Sequence, residues 1–232
     1  MASSDRAIVL IGGGWHPTAS YEKFQSALEA QDYRTPTADL YTDSEFIRSY
    51  VEGLVEAGRH VVVLMHSYGG QVGTNCLVGL GAETRKQRGL TGGVTRLVYI
   101  AAFAVTEGST DAKIAFDFAD DDTCESRDPK NLPVGPSHPE EELEAYVAGL
   151  ARWNGKAMYQ GTRQCAWREI PVSFVYATAD MTVPFDYQKL FVEKMQGQGR
   201  EVETFSLDTG PCPTFTKASE LVEIVHGVVT RA

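Results

Sequence analysis

The sequence predicts a three-layer α/β fold: a mostly parallel sheet of about six strands, helices on both faces and a small helical lid. Three observations lead there. Apolar runs rich in β-branched residues recur along the chain, helical patterns separate them, and the alternation breaks once, between Val105 and Ile170.

Ala7–Ile11 is the first strand candidate and runs straight into Gly12, Gly13 and Gly14. The helical stretch Tyr21–Ala30 follows, then a strand at Tyr33–Thr37. In Ser44–Ala57 the residues Phe46, Ile47, Tyr50, Val51, Leu54 and Val55 recur at helical spacing and form one stripe to lay on a sheet. His60–His66 is a buried strand, Gly69–Leu80 a helix and Thr95–Ile100 the next strand. The break that follows reads as a lid over the carboxyl edge of the sheet, spanning about 105–170, with helical stretches at Pro139–Leu150 and Trp153–Trp167. Strands at Val172–Ala177 and Val202–Leu207 then alternate with helices at Phe185–Gln196 and Thr216–Thr230.

A chain of 232 residues with 43% hydrophobic content is sized for one large core, so residues 1–232 are expected to form a single domain. The net charge of -10 argues against nucleic acid or an anionic membrane as partner and favours a small, neutral or weakly polar substrate. The composition is compatible with a homodimer. Ala7–Ile11 is too short for a signal-peptide core, which points to the cytoplasm. Cys76, Cys124, Cys165 and Cys212 are widely separated, so no disulfide framework or metal site is expected, and no motif calls for a cofactor. The stretch Asp117–Pro136, with Asp120, Asp121, Asp122, Glu125 and Asp128, reads as a solvated, partly disordered loop; a cation site is the alternative.

The chemistry is expected at Val61-Val62-Val63-Leu64-Met65-His66-Ser67-Tyr68-Gly69-Gly70-Gln71, a strand passing through a tight turn into a helix. Such an elbow lifts Ser67 clear of the sheet, although Met65 replaces the first glycine of G-x-S-x-G. Tyr68 N–H would supply half of an oxyanion hole. Gly14 N–H, from Gly12-Gly13-Gly14-Trp15-His16-Pro17, would supply the other half. That turn matches neither G-x-G-x-x-G nor a P-loop.

With these pieces the chain resembles the small α/β-hydrolases related to plant methylesterases and hydroxynitrile lyases and their bacterial and fungal relatives, over nearly its whole length. Leu97-Val98-Tyr99-Ile100-Ala101-Ala102-Phe103 and the run from Cys165-Ala166-Trp167-Arg168-Glu169-Ile170-Pro171 to Ala179-Asp180-Met181-Thr182-Val183-Pro184 carry the rest of the resemblance. It implies an α/β-hydrolase fold with Ser67 as nucleophile and Asp180 as triad acid. It also implies a histidine just before the last helix, where this chain reads Asp208-Thr209-Gly210-Pro211-Cys212-Pro213, with Pro211 at the histidine position.

Serine is a poor nucleophile until a base takes its proton, and deleting that base costs a serine protease about 10⁶-fold in kcat, roughly 8–9 kcal/mol. His16, on the oxyanion turn, is the candidate substitute. His66 is expected to point away into structural hydrogen bonds, while His60, His138 and His226 are expected to be structural. Cys212 is either a reactive thiol beside the substrate or a small buried hydrophobe. Trp15, Tyr68, Phe103, Trp153, Tyr159 and Trp167 are candidate pocket aromatics, each also explained by packing. Without imidazole, Asp180 would be desolvated and available as a general acid or base. Three functions remain: a lyase, isomerase or cyclase acting on a small carbonyl compound in a natural-product pathway; an ester or acyl hydrolase with a substitute base; or a ligand-binding protein that has lost catalysis.

Overall fold

The computed structural model describes residues 5–28, 32–34, 38–109, 123–124, 140–151 and 153–232. Six strands, β1 (Arg6–Ile11), β2 (Asp32–Arg34), β3 (His60–His66), β4 (Gly93–Ile100), β7 (Val172–Ala177) and β8 (Val202–Leu207), pair in parallel in the order β2-β1-β3-β4-β7-β8. In β3 every residue after His60 is buried, as a central strand covered on both faces requires. Successive side chains alternate between two cores. Val61, Val63 and Met65 face α2 (Leu40–Glu56), α3 (Gly69–Cys76) and α7 (Phe185–Gly197). Val62 and Leu64 face α1 (Glu22–Leu28) and α9 (Ala218–Arg231).

Helix α2 begins at Asp39, whose carboxylate accepts the N–H groups of Tyr41 and Thr42. Ile47, Val51 and Val55 are buried, whereas Phe46 is 54% exposed and leaves the expected stripe, because it lies about 100° around the helix from Ile47. Helix α3 stops at Cys76, short of the expected Leu80. Arg48 donates to the terminal carbonyls of Cys76 and Val78, and Gly79, at φ 83°, turns the chain away. A short helix not expected from the sequence, α4 (Ala82–Gln87), leads into β4.

In the lid, α5 (Glu140–Ala148) lies within the expected helix. The expectation of one helix over Trp153–Trp167 is overturned. Trp153–Asn154 forms β6, antiparallel to β5 (Thr123–Cys124), followed by the single turn α6 (Lys156–Tyr159) and, after an irregular stretch, a 3₁₀ turn at Ala166–Arg168. A strand partner almost thirty residues upstream leaves no trace in local periodicity. Apart from Thr123 and Cys124, the acidic stretch lies outside the described residues, as do 35–37 of the second expected strand and His138. The expected last helix, Thr216–Thr230, is α9, displaced by about two residues, and a single turn not expected from the sequence, α8 (Pro213–Thr216) with proline in its first turn, precedes it.

Cys76, Cys165 and Cys212 are buried thiols outside any disulfide among the described residues. Among the described residues no helix is long and apolar enough to cross a membrane, and no cluster of three potential metal ligands forms.

Candidate active site

Ser67 sits between β3 and α3 at φ 51°, a left-handed conformation that costs a non-glycine residue about 1–2 kcal/mol. The turn closes only because its neighbours are small. A Cβ on Gly69 would stand 2.3 Å from the Ile11 carbonyl oxygen, and one on Gly70 would stand 2.9 Å from both Ala102 Cβ and the Phe103 carbonyl. Met65, standing in place of the usual glycine, is accommodated one turn further on, where a Cβ on Gly73 would meet its Sδ at 2.2 Å. Gly73 is therefore part of the elbow, a role the sequence reading missed.

Ser67, Asp180 and Pro211 line one cavity of about 10 Å3, walled also by Trp15, His16, His66 and Ala101. That space holds about one water. Trp15 (φ 63°), Ser67 and Ala101 (φ 45°) are the non-glycine residues with positive φ among those described, and all three line this cavity. Backbone strain is concentrated where the chemistry was expected.

Both histidines in the wall have both ring nitrogens engaged. Gly13 N–H donates to the Tyr21 hydroxyl (2.7 Å), Tyr21 O–H donates to His66 Nδ1 (2.8 Å), and His66 Nε2–H donates to the Pro211 carbonyl (2.7 Å). Because a carbonyl only accepts, His66 must carry its proton on Nε2 and accept on Nδ1. His66 thus ties the oxyanion turn to the Pro211 loop through the cavity wall; the expectation that it points away from the site is corrected. His16 Nδ1–H donates to the Gly14 carbonyl (2.5 Å), which leaves Nε2 to accept the Cys212 thiol proton at 3.3 Å. Tyr146 of α5 donates to Cys212 Sγ (3.7 Å). None of the four ring nitrogens bonds to Ser67.

Burial, aided for His16 by the neighbouring His66, lowers His16 to about 3, against the pull of the Gly14 carbonyl; burial lowers His66 to about 4, against that of the Pro211 carbonyl. Both are neutral at pH 7. Burial also raises the Cys212 thiol far above its usual range, so the Cys212–His16 pair is an uncharged hydrogen bond rather than a thiolate–imidazolium pair. Cys212 is fully buried behind the cavity, beside Tyr146 and Phe215.

Asp180 Oδ1 accepts N–H groups from Thr182 (2.7 Å) and Val183 (2.9 Å), while Oδ2 receives Gln188 Nε2 at 3.3 Å. Burial nevertheless dominates and raises the carboxyl to about 7, the Val183 and Thr182 N–H groups opposing it. Near neutral pH it is available in both protonation states.

Gly13 N–H donates to Tyr21 and is not available to a bound oxygen, and neither expected oxyanion donor, Gly14 or Tyr68, lines the Ser67 cavity itself. A Cβ on Gly14 would strike the Trp153 ring at 2.6 Å, and Ala151 N–H donates to the Trp15 carbonyl (2.8 Å), so Ala151 and Trp153 of the lid are seated on the turn. Trp153 Nε1 is buried with no acceptor among the described residues. The Tyr68 ring packs on Trp153, and its hydroxyl reaches back to Asp43. Among the other aromatic candidates, Phe103 packs on Phe191 and Trp167 donates to the Val105 carbonyl, both in the core, and Tyr159 is exposed. Sequence reasoning missed Tyr21, Ala101, Thr182, Val183 and Gln188. For Ala101 the signal was the small-residue pair after β4, in the position where the elbow makes its close approach.

Comparisons with known proteins agree with this architecture. A probable hydrolase, R7, from Phoma sp. (strain ATCC 20986 / MF5453) is 27% identical over 199 residues, covering 82% of this chain and 78% of that protein. Among solved structures, an extracellular alpha/beta-hydrolase from a Paenibacillus species, described as sharing structural and functional homology with tobacco salicylic acid binding protein 2, superposes with a TM-score of 0.69 at 14% identity, covering 94% of this chain and 97% of that one. Polyneuridine aldehyde esterase gives 0.61 at 16% identity, over 97% of this chain and 100% of that one. The pyrethroid hydrolase PytH gives 0.62 at 16% identity, over 96% of each. At such identities these likenesses speak for the fold. The alpha/beta hydrolase family model matches residues 8–224, nearly the whole chain, and the protein belongs to that family.

Proposed function

We propose that this enzyme acts on a small carbonyl compound by chemistry other than hydrolysis, with Asp180 moving the proton and Ser67 serving as a neutral hydrogen-bond donor. One observation carries the reading: both ring nitrogens of His16 and of His66 are committed to other groups, so neither is placed to take the Ser67 proton.

In this reading the substrate carbonyl oxygen lies between Gly14 N–H and Tyr68 N–H, with Ser67 O–H donating to it. The Asp180 carboxylate removes a proton from the carbon next to the carbonyl. The electron pair moves onto oxygen, giving an enolate held by those donors. Returning the same proton to a different carbon isomerises the substrate. Delivering it to a β-hydroxyl that departs as water dehydrates it. Neither outcome needs an acyl-serine, and a carboxyl poised near pH 7 suits both the acid and the base half. A cavity this small admits a substrate only if its walls move, and Trp153, which stands on Gly14 and packs behind the wall residue Trp15, is the side chain to displace.

A second reading, serine-dependent ester hydrolysis, is favoured by the hydrolase and esterase names of the similar proteins. Methyl arylacetates in D2O separate the two, because one substrate reports both reactions by proton NMR. The expected result is deuterium entering the α-carbon, lost in Asp180→Asn. Methanol release that is lost in Ser67→Ala would instead establish hydrolysis.

A further inference from the structure

A second cavity, of about 250 Å3, lies between α2, the end of α3 and the lid segment at Arg163 and Gln164. Its composition runs against the rest of the molecule. In a chain of net charge -10, this cavity gathers two arginines, Arg48 and Arg163, against one carboxylate, Glu45.

The arginines differ in what they are already doing. Arg48 is occupied with the carbonyls of Cys76 and Val78 and lies 3.8 Å from Glu52. Arg163 lies with its guanidinium 3.5 Å from the centre of the Tyr41 ring and has no carboxylate or carbonyl acceptor among the described residues. Stacking uses the face of the guanidinium and leaves its edge, the part that forks onto a carboxylate, available.

The surroundings hold that geometry. Arg163 N–H donates to Asn75 Oδ1 (2.7 Å), Asn75 Nδ2 donates to Ser44 Oγ (2.9 Å), and Tyr41 O–H donates to the Gly161 carbonyl (3.1 Å). Gln71 Nε2 donates to the Gln160 carbonyl one step earlier on the same lid segment (3.0 Å). Because Ser44 Oγ accepts from Asn75, its own proton is left to point elsewhere. Such a constellation pays little ordering entropy when a ligand arrives.

We infer that this cavity is a binding site for a small organic carboxylate, held by the Arg163 guanidinium edge with the Ser44 hydroxyl as a second donor. The volume lies just below the range of about 300–1,000 Å3 typical of drug-sized ligands, which restricts the occupant to a small acid. The site is separate from the Ser67 cavity, with which it shares no lining residue. It therefore stands whether or not the proposed chemistry does.

Calorimetric titration of the full chain with benzoate at low ionic strength tests this, with benzamide as the uncharged control. Expected are one saturable site for benzoate and none for benzamide. Arg163→Gln should weaken binding at least tenfold, and Arg163→Lys should recover only part of it, since an ammonium keeps the charge and loses the fork. The Arg163 side chain is at the surface, so an unchanged melting temperature in Arg163→Gln excludes unfolding as the cause. Absence of saturation, or equal affinity in Arg163→Gln, overturns the assignment; the latter would place benzoate elsewhere in the molecule.

Discussion

The two walls of the Ser67 cavity are held in place by different means. On the elbow side the constraint is steric: Gly69, Gly70 and Gly73 let α3 press against β1, the Ala102–Phe103 backbone and Met65, and Ser67 is driven into a left-handed conformation. On the Pro211 side the constraint is polar. The loop is tied by its backbone carbonyl to His66 and by Cys212 to His16. The contrast shows that the strain at the serine and the hydrogen bonds of the histidines beside it are separate devices. The elbow needs no imidazole to form, and the imidazoles present serve as struts.

If this contrast is right, the largest change should come from restoring a base to the polar wall. Pro211→His is expected to raise cleavage of p-nitrophenyl acetate by about 10²-fold or more, the usual contribution of a positioned general base. No gain would mean that the loop does not stand where a base can reach Ser67.

The next effect concerns Asp180. Its carboxyl is raised in the folded state, so between about pH 4 and 7 the folded protein holds a proton that the unfolded chain releases, and stability falls as pH rises through that window. Asp180→Asn removes this loss while keeping an oxygen for Thr182 and Val183. Its melting temperature relative to wild type should therefore climb from pH 4 to pH 8, an advantage on the order of 4 kcal/mol at most. His16 and His66, lowered in the folded state, act in the opposite direction, adding stability as pH rises from about 3 to 6.5, and they do so equally in both proteins. A difference that stays flat with pH would show that Asp180 is not held protonated by burial.

The steric wall is probed by Gly69→Ala. Its new methyl meets the backbone oxygen of Ile11, which cannot rotate away, so denaturant melts should show a loss of about 3 kcal/mol. Gly73→Ala should cost less, because Met65 Sδ can swing aside. The polar wall is probed by Tyr21→Phe, which strands the buried Gly13 N–H and His66 Nδ1 and should cost about 2 kcal/mol.

The steric wall, Gly73 apart, was legible in the sequence and the polar wall was not. Strands β3, β7 and β8 match their expected bounds; in β3 and β7 a covered strand writes its burial into a largely apolar run, whereas β8 is an edge strand of mostly half-exposed residues, marked by Val202, Phe205 and Leu207 alone. The elbow was legible because close packing demands small residues at fixed offsets from Ser67. His66, by contrast, finds its acceptor 145 residues away on a backbone carbonyl, which any residue type can supply. Trp153 was misread for a similar reason: its pairing with Cys124 and its seat on Gly14 are long-range contacts, and locally its spacing from Ala157 mimics a helix.

The central claim is that the Ser67 hydroxyl keeps its proton, and a fluorophosphonate tests this directly because it captures only an activated serine. Intact-mass spectrometry after prolonged incubation at neutral pH should show unmodified wild-type protein, with Pro211→His forming a single adduct. A stoichiometric adduct on wild-type Ser67 would contradict the claim and return the enzyme to serine hydrolysis.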